Sequence, residues 1–389
     1  MSDPVISQLI PLSVPELSGN EWKYIKECLD SGWVSSVGKF VERFENALAE
    51  YTDCRYSVAV VNGTSALHLS LLACGIQPDD EVIVPSLTFI APVNTVRYCR
   101  AYPVFMDCDR DTLCIDVRKT EDFLFSECVR RSDGFTYNKK TGRRIKAVIP
   151  VHIFGHPANM EHLLDISIKY NITVIEDATE SLGSEHKGKK TGSFGEAGCF
   201  SFNGNKIITT GGGGMVVTDN KDLADRMRHL STQAKKDAIT GDHDEVGYNY
   251  RLTNIQAAMG LAQMERLEEF IEIKRRNAVS YRDLLDGTSN VDFLWEQPPS
   301  KSNFWLYTIK VPREHRDALM KYLSEKKIQA RPIWKLIHTL PMYAECQAYK
   351  IDEAYQAHGT CINLPSSVNI KREDLEYVAH CIKNYFHGT

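Results

Sequence analysis

Between residues 57 and 218 the chain alternates two patterns. Short, continuously apolar runs occur at 57–61, 81–85, 102–107, 147–152, 173–177, 198–202 and 215–218. Helical spacings of apolar residues separate the early runs, at 64–74, 91–100 and 160–170. Runs that are apolar on both faces belong to strands buried on both sides, and their alternation with helices predicts a parallel sheet covered by helices. Ahead of this region, Ser18 with Glu21 three residues later predicts a capped helix. Trip points at Trp22, Ile25 and Leu29 fall on one face of that helix, and Gly32 supplies its stop.

From about residue 264 the pattern changes. Leu267, Phe270, Ile271, Tyr281 and Leu284 form the apolar stripe of a long, highly charged helix. A strand-like run at 304–311 and helical patterns at 316–326 and 372–386 follow. The expected organisation is therefore a large α/β domain over 1–263, with a mostly parallel seven-stranded sheet sandwiched by helices. A smaller α+β domain over 264–389 would be joined to it by the long helix. The polar, basic stretch 130–146 reads as a surface hairpin or loop.

Composition narrows the function classes. The 389 residues carry a net charge of -5, which gives no electrostatic reason to expect nucleic acid or an anionic membrane as partner. The N-terminus shows no signal-peptide pattern and no run is long enough to span a bilayer, so a cytoplasmic protein is expected. Eleven cysteines are scattered without a CxxC pair, which fits small buried thiols in a reducing compartment better than a zinc site.

Candidate chemistry sits at the ends of the apolar runs, where parallel sheets collect ligands. Asn62-Gly63-Thr64-Ser65 opens a helix directly after a strand, an arrangement suited to an anion but equally to a plain N-cap. No GxGxxG precedes it, which argues against a dinucleotide enzyme. Phe89 follows another strand end and could stack on a flat ring or simply fill the core. Glu176-Asp177 closes a buried strand, where an acid needs a partner such as a pyridine nitrogen; the alternatives are a helix cap or a metal ligand. No His/Asp cluster at ligand spacing supports metal. Lys206 lies among small polar residues, with Gly211 to Gly214 just after it. Glycines before the lysine would make a phosphate loop; here the main run follows, which suits a Schiff-base lysine whose amine must be free to attack an aldehyde. Asn249 and Arg251 crowd an aromatic turn ahead of a further helix. The order of these parts — anion site, stacking aromatic, strand-end acid, lysine — is that of a fold-type I pyridoxal-phosphate enzyme.

At this point the chain resembles the DegT–StrS sugar-nucleotide aminotransferases. The resemblance rests on SGWVS at 31–35, NGTSAL at 62–67, PSLTFIAPVN at 85–94 and PVHIFGHPANM at 150–160. It continues through EDATESLGS at 176–184, FSFNGNKIITTGGGGM at 200–215, GYNYRLTNIQAA at 247–258, RPIWKLIHTLPMY at 331–343 and NLPSS at 363–367. It implies pyridoxal 5′-phosphate as cofactor, with pyridoxamine phosphate as its other form. Lys206 would carry the cofactor and shuttle protons, Asp177 would pair with the pyridine nitrogen, and Phe89 would stack on the ring. Gly63, Thr64, Ser65 and Ser201 would hold the phosphate, and Glu180 would stand near the ring hydroxyl, where many relatives have Gln. Asn249 would reach the phosphate of the other subunit, implying a homodimer with shared sites. Trp33, Arg331 and His338 are candidates for lining the sugar-nucleotide cleft, or for packing between the domains.

The resemblance further implies amino transfer from glutamate, released as 2-oxoglutarate, to the C4 ketone of a nucleotide-linked sugar. The GNKIITTGGGG form and the loop around 130–146 look most like the branch acting on UDP-4-keto-6-deoxy-N-acetylhexosamines, on routes to bacillosamine-type and legionaminic-acid-type sugars. Two alternatives stay open: a pyridoxal-phosphate sugar dehydratase, and a regulatory or binding protein of the same fold.

Overall fold

In the computed structural model, which describes residues 8–237 and 240–387, the apolar runs pair into one sheet. Its strands are β1 (Tyr56–Val60), β2 (Glu81–Pro85), β3 (Tyr102–Met106), β4 (Ile145–Val148), β5 (Thr173–Asp177), β6 (Ala197–Ser201) and β7 (Gly214–Thr218). Spatially they run β1-β7-β6-β5-β4-β2-β3. Only β7 is reversed, antiparallel to both β1 and β6. The seven expected strands are joined by an eighth: Ala348–Tyr349 pairs in parallel with β3 at the sheet edge. Two residues far along the chain carry no strand periodicity, so this addition has no sequence signature. The fourth strand ends at Val148 rather than running to His152; Pro150 lacks an N–H, and pairing resumes only as an isolated bridge between Val151 and Asp177.

Alternate residues of each strand enter different cores, as the two-residue period requires. Val58 and Val60 pack with α3 (Gly63–Ala73), while Ala59 between them packs with Phe44 and Leu48 of α2 (Lys39–Thr52). In the same way Val82 and Val84 face one layer and Ile83 the other. The remaining helices of this region are α1 (Glu21–Ser31), α4 (Ala91–Tyr98), α5 (Val117–Ser126), α6 (Met160–Tyr170), α7 (Lys221–Ser231) and α8 (Asn254–Met264). The stretch after α5 is a hairpin, with Cys128–Arg130 paired antiparallel to Thr136–Asn138.

The long helix is α9 (Leu267–Leu285). Ala278, Tyr281 and Leu285 on it pack with Tyr307, Ile309, Ile362 and Leu364 of a four-stranded antiparallel sheet. That sheet is built from Asp292–Phe293, Tyr307–Lys310, Cys361–Leu364 and Arg331–Pro332, flanked by α10 (Arg313–Glu325), α11 (Glu353–Thr360) and α12 (Arg372–His387).

Helix α1 departs from its pattern. Trp22 and Leu29 are 78% and 57% exposed, and the buried residues are Glu21 and Cys28. Glu21 does not close a capping box; its Oε1 accepts a 2.5 Å hydrogen bond from Gln263 Nε2 of α8. Ser18 instead accepts a hydrogen bond from the Arg266 guanidinium, and the N-cap, Asn20, makes no side-chain cap. Tertiary pairing with α8 thus outbids the local cap. The stop at Gly32 is as expected, with φ +74° and its N–H donating to Leu29 O.

Candidate active site

The carboxyl ends of β1, β2, β5 and β6 open onto one cleft of about 370 Å³, closed on the far side by Trp305, Arg331, Trp334 and Asn363. Each wall has a local cause. At the end of β1 the backbone turns at Asn62, whose side chain accepts from Ser65 N at 2.8 Å and whose carbonyl accepts from Ala66 N. Helix geometry then leaves the N–H groups of Gly63 and Thr64 without an intrahelical partner, at the positive end of α3. A Cβ on Gly63 would stand 2.8 Å from Ser201 Cβ, so only glycine lets the helix start approach the end of β6 this closely. Ser65 itself is buried and its N–H is spent on Asn62, so it supports the turn rather than lining the cleft.

The strand period separates the two acids that end β5. Glu176 is wholly buried away from the cleft, receiving Gly192 N, Phe194 N and Gly195 N and pairing with His152 Nε2 at 3.0 Å. His152 Nδ1 accepts from Ala158 N, so its proton sits on Nε2 and is donated to Glu176. Asp177 faces the cleft, with its Oδ1 accepting from Thr179 N at 3.1 Å. Burial raises its carboxyl above the usual range.

Lys206 leaves the turn after β6, and its Nζ lies 3.6 Å from Glu180 Oε1 and 3.9 Å from the centre of the Trp305 ring. Glu180 is anchored by its Oε2, which accepts from Phe154 N at 2.8 Å. Burial pushes the Glu180 carboxyl up to about 7 and pushes the Lys206 amine down. Both directions favour an uncharged pair, and hence an amine able to act as nucleophile or base.

Gly63, Thr64, Phe89, Asp177, Glu180, Ser201, Lys206 and Arg331 therefore meet at one cleft. Phe89 is 53% exposed, its ring 5.9 Å from that of Trp334. Three other candidates lie elsewhere. Trp33 lines a separate hollow beside Val37 and Phe40. His338 is held between Ser86 Oγ at 2.5 Å and Tyr355 Oη at 2.9 Å, outside the cleft. Asn249 is exposed and bridges Thr232, away from the cleft of its own chain. Residues that sequence reasoning passed over are Thr88, Asn205, Trp305 and Trp334. Thr88, Asn205 and Trp334 lay inside quoted motifs, whereas Trp305 stands just before the Tyr307–Lys310 strand of the small sheet and gave no signal. Among the described residues His229, Asp244 and Glu245 converge as a metal site would, but they lie at the surface, with His229 Nε2 against Asp244 and Glu245 paired with Arg226.

The family model described as the DegT/DnrJ/EryC1/StrS aminotransferase family matches residues 15–383. The chain is 41% identical over 379 residues to GDP-perosamine synthase of Escherichia coli O157:H7, covering 97% of this chain and 98% of that protein. It is 37% identical to the putative pyridoxal phosphate-dependent aminotransferase EpsN of Bacillus subtilis, covering 97% and 96%. Among solved structures it matches Helicobacter pylori PseC, an aminotransferase of pseudoaminic acid biosynthesis, with a TM-score of 0.89 and 26% identity over 98% of this chain and 100% of that one.

Proposed function

The chain belongs to the DegT/DnrJ/EryC1/StrS aminotransferase family, and we propose that it transfers an amino group from glutamate to the C4 ketone of a nucleotide-linked 4-keto-6-deoxy sugar. The cofactor is pyridoxal 5′-phosphate. The cleft fits it: among the described residues the buried hydroxyl Thr88 Oγ1 has no partner, the α3 terminus offers two N–H groups beside Ser201, and an acid lines the cleft.

The observation that carries the proposal is the meeting of Lys206, Glu180 and Asp177 in one buried site. When bound, the cofactor supplies an electron sink that lets a proton leave the carbon bearing the amino group. Lys206 Nζ takes that proton and returns it, which its depressed basicity favours. Asp177 would hold the pyridine nitrogen in its protonated form, Phe89 would cover one face of the ring, and Glu180 would stand by the ring hydroxyl. Gly63, Thr64 and Ser201 would hold the phosphate, with Ser65 supporting the Asn62 turn. Arg331, the second cation of the cleft wall, meets the anionic part of a substrate. Trp305 over Lys206 excludes water from the exchanging proton. Asn249 serves the site of a second copy of the chain.

For the acceptor we propose a UDP-linked 4-keto-6-deoxy-N-acetylhexosamine, on the GNKIITTGGGG segment and the loop around 130–146. A GDP-linked sugar is the second reading, favoured by the name of the 41%-identical relative. Replacing Lys206 by Ala or Arg should abolish both the lysine-dependent visible absorbance of the cofactor and amino transfer from glutamate; retention of both sinks the assignment. Offering UDP-, GDP- and dTDP-linked 4-keto sugars to the wild-type enzyme then decides the nucleotide. A sugar product without added nitrogen would point to a dehydratase instead.

A further inference from the structure

Lys274, in the middle of α9, is 2% exposed, and among the described residues no carboxylate pairs with it. A lysine buried without a counter-charge is costly, and burial alone pushes its amine down to about 7. Such a group persists where its contacts do something a leucine could not. Its Nζ donates to the carbonyl of Ser366, in the NLPSS segment, and its own carbonyl accepts from Tyr307 Oη at 2.9 Å.

Ser366 is a hub. Its N–H donates to Leu12 O at 2.7 Å, and its hydroxyl reaches Trp305 O at 3.0 Å and Leu12 O at 3.3 Å. From there two arms return to the site. Trp305 Nε1 donates to Asn205 O at 2.7 Å, and Ser13 Oγ, next to Leu12, donates to the same carbonyl at 3.2 Å. Asn205 immediately precedes Lys206, whose amine lies against the Trp305 ring.

We propose that Lys274 is a positioning residue for Lys206, acting through Ser366 to hold Trp305 and the 12–13 segment against the backbone that carries the reactive lysine. The grip on the Ser366 carbonyl fixes where Trp305 sits; Trp305 in turn fixes how dry the Lys206 amine is. The inference rests on the role given to Lys206 above.

The test compares Lys274→Met, Lys274→Arg and Ser366→Ala holoenzymes with wild type. The readouts are the pH midpoint at which the bound cofactor's visible absorbance changes, and kcat and KM measured separately. Lys274→Met keeps the bulk but loses the donor. Its looser Trp305 should hydrate Lys206 and raise the midpoint by about one pH unit, with kcat roughly tenfold lower and KM within about twofold. Lys274→Arg, which can still donate to the carbonyl, should return both towards wild type, and Ser366→Ala should shift the midpoint with Lys274 intact. A folded Lys274→Met enzyme with wild-type midpoint and kcat overturns the proposal, as does a Ser366→Ala enzyme with no shift. If Lys274→Met does not fold, Ser366→Ala decides. Failure of the amino-transfer reading would show in the wild-type enzyme itself, whereas failure of this inference shows only in the variants.

Discussion

Glu180 and Lys206 lie 3.6 Å apart in a site where burial works against charge on both. The consequence for stability can be given a sign. The Glu180 carboxyl rises from an ordinary 4.5 to about 7 on folding, so between those values the folded protein holds a proton that the unfolded chain has released. Its contribution is present below pH 4.5 and is lost as pH rises towards 7. Glu180→Gln removes this dependence. Thermal melts of the cofactor-free protein should therefore show the wild type losing stability relative to Glu180→Gln across that window; a constant difference between the two would refute the argument. The same residue explains a limit of sequence reasoning. An acid near Lys206 was legible from its motif, but its upward shift arises from burial, which exists only once other elements pack around it.

At the scale of elements, the site depends on how closely the start of α3 approaches the end of β6. Gly63 makes that approach possible, and Asn62 caps the turn. Gly63→Ala places a methyl group 2.8 Å from Ser201 Cβ, so the two elements must separate. Cofactor titration should report a dissociation constant raised about tenfold, equivalent to roughly 1.4 kcal/mol. Asn62→Ala should cost about 1 kcal/mol of stability, the usual loss of a helix cap, seen as a lower denaturation midpoint. The strands of the large sheet were legible because burial on two faces leaves a continuous apolar run, whereas helices α2, α5 and α7 were not singled out. Helix α1 was misread because its apolar residues at Trp22 and Leu29 face outwards in this chain, while a polar pair, Glu21 and Gln263, sits inside. Local spacing cannot tell which side of a helix another helix will claim.

At the scale of the whole molecule, the exposed position of Asn249 carries the proposal of sites shared between two copies. Segment 249–252 is fastened to β1: Val60 bridges Arg251, and Arg251 contacts Glu45 at 3.3 Å. Asn249 is thus presented from a fixed backbone. Mixing Lys206→Ala subunits with Asn249→Ala subunits should restore activity that neither variant shows alone, since a mixed pair contains one site with both residues intact. Activity that stays at the level of the separate variants after subunit exchange would argue against shared sites.

The sequence by itself determined the layered sheet, because period and burial are written in each segment locally. It also determined the identity and order of the groups at the strand ends, Gly63 through Phe89 and Asp177 to Lys206. Which of those groups face one cleft was decided only by tertiary structure. The two-residue strand period sends Asp177 into the site and Glu176 to His152, while the His338 side chain is drawn off to Ser86 and Tyr355. Trp305, Ser366 and Lys274 enter through contacts between residues far apart in the chain. No local pattern encodes such contacts, because their energy comes from surfaces that meet only after folding.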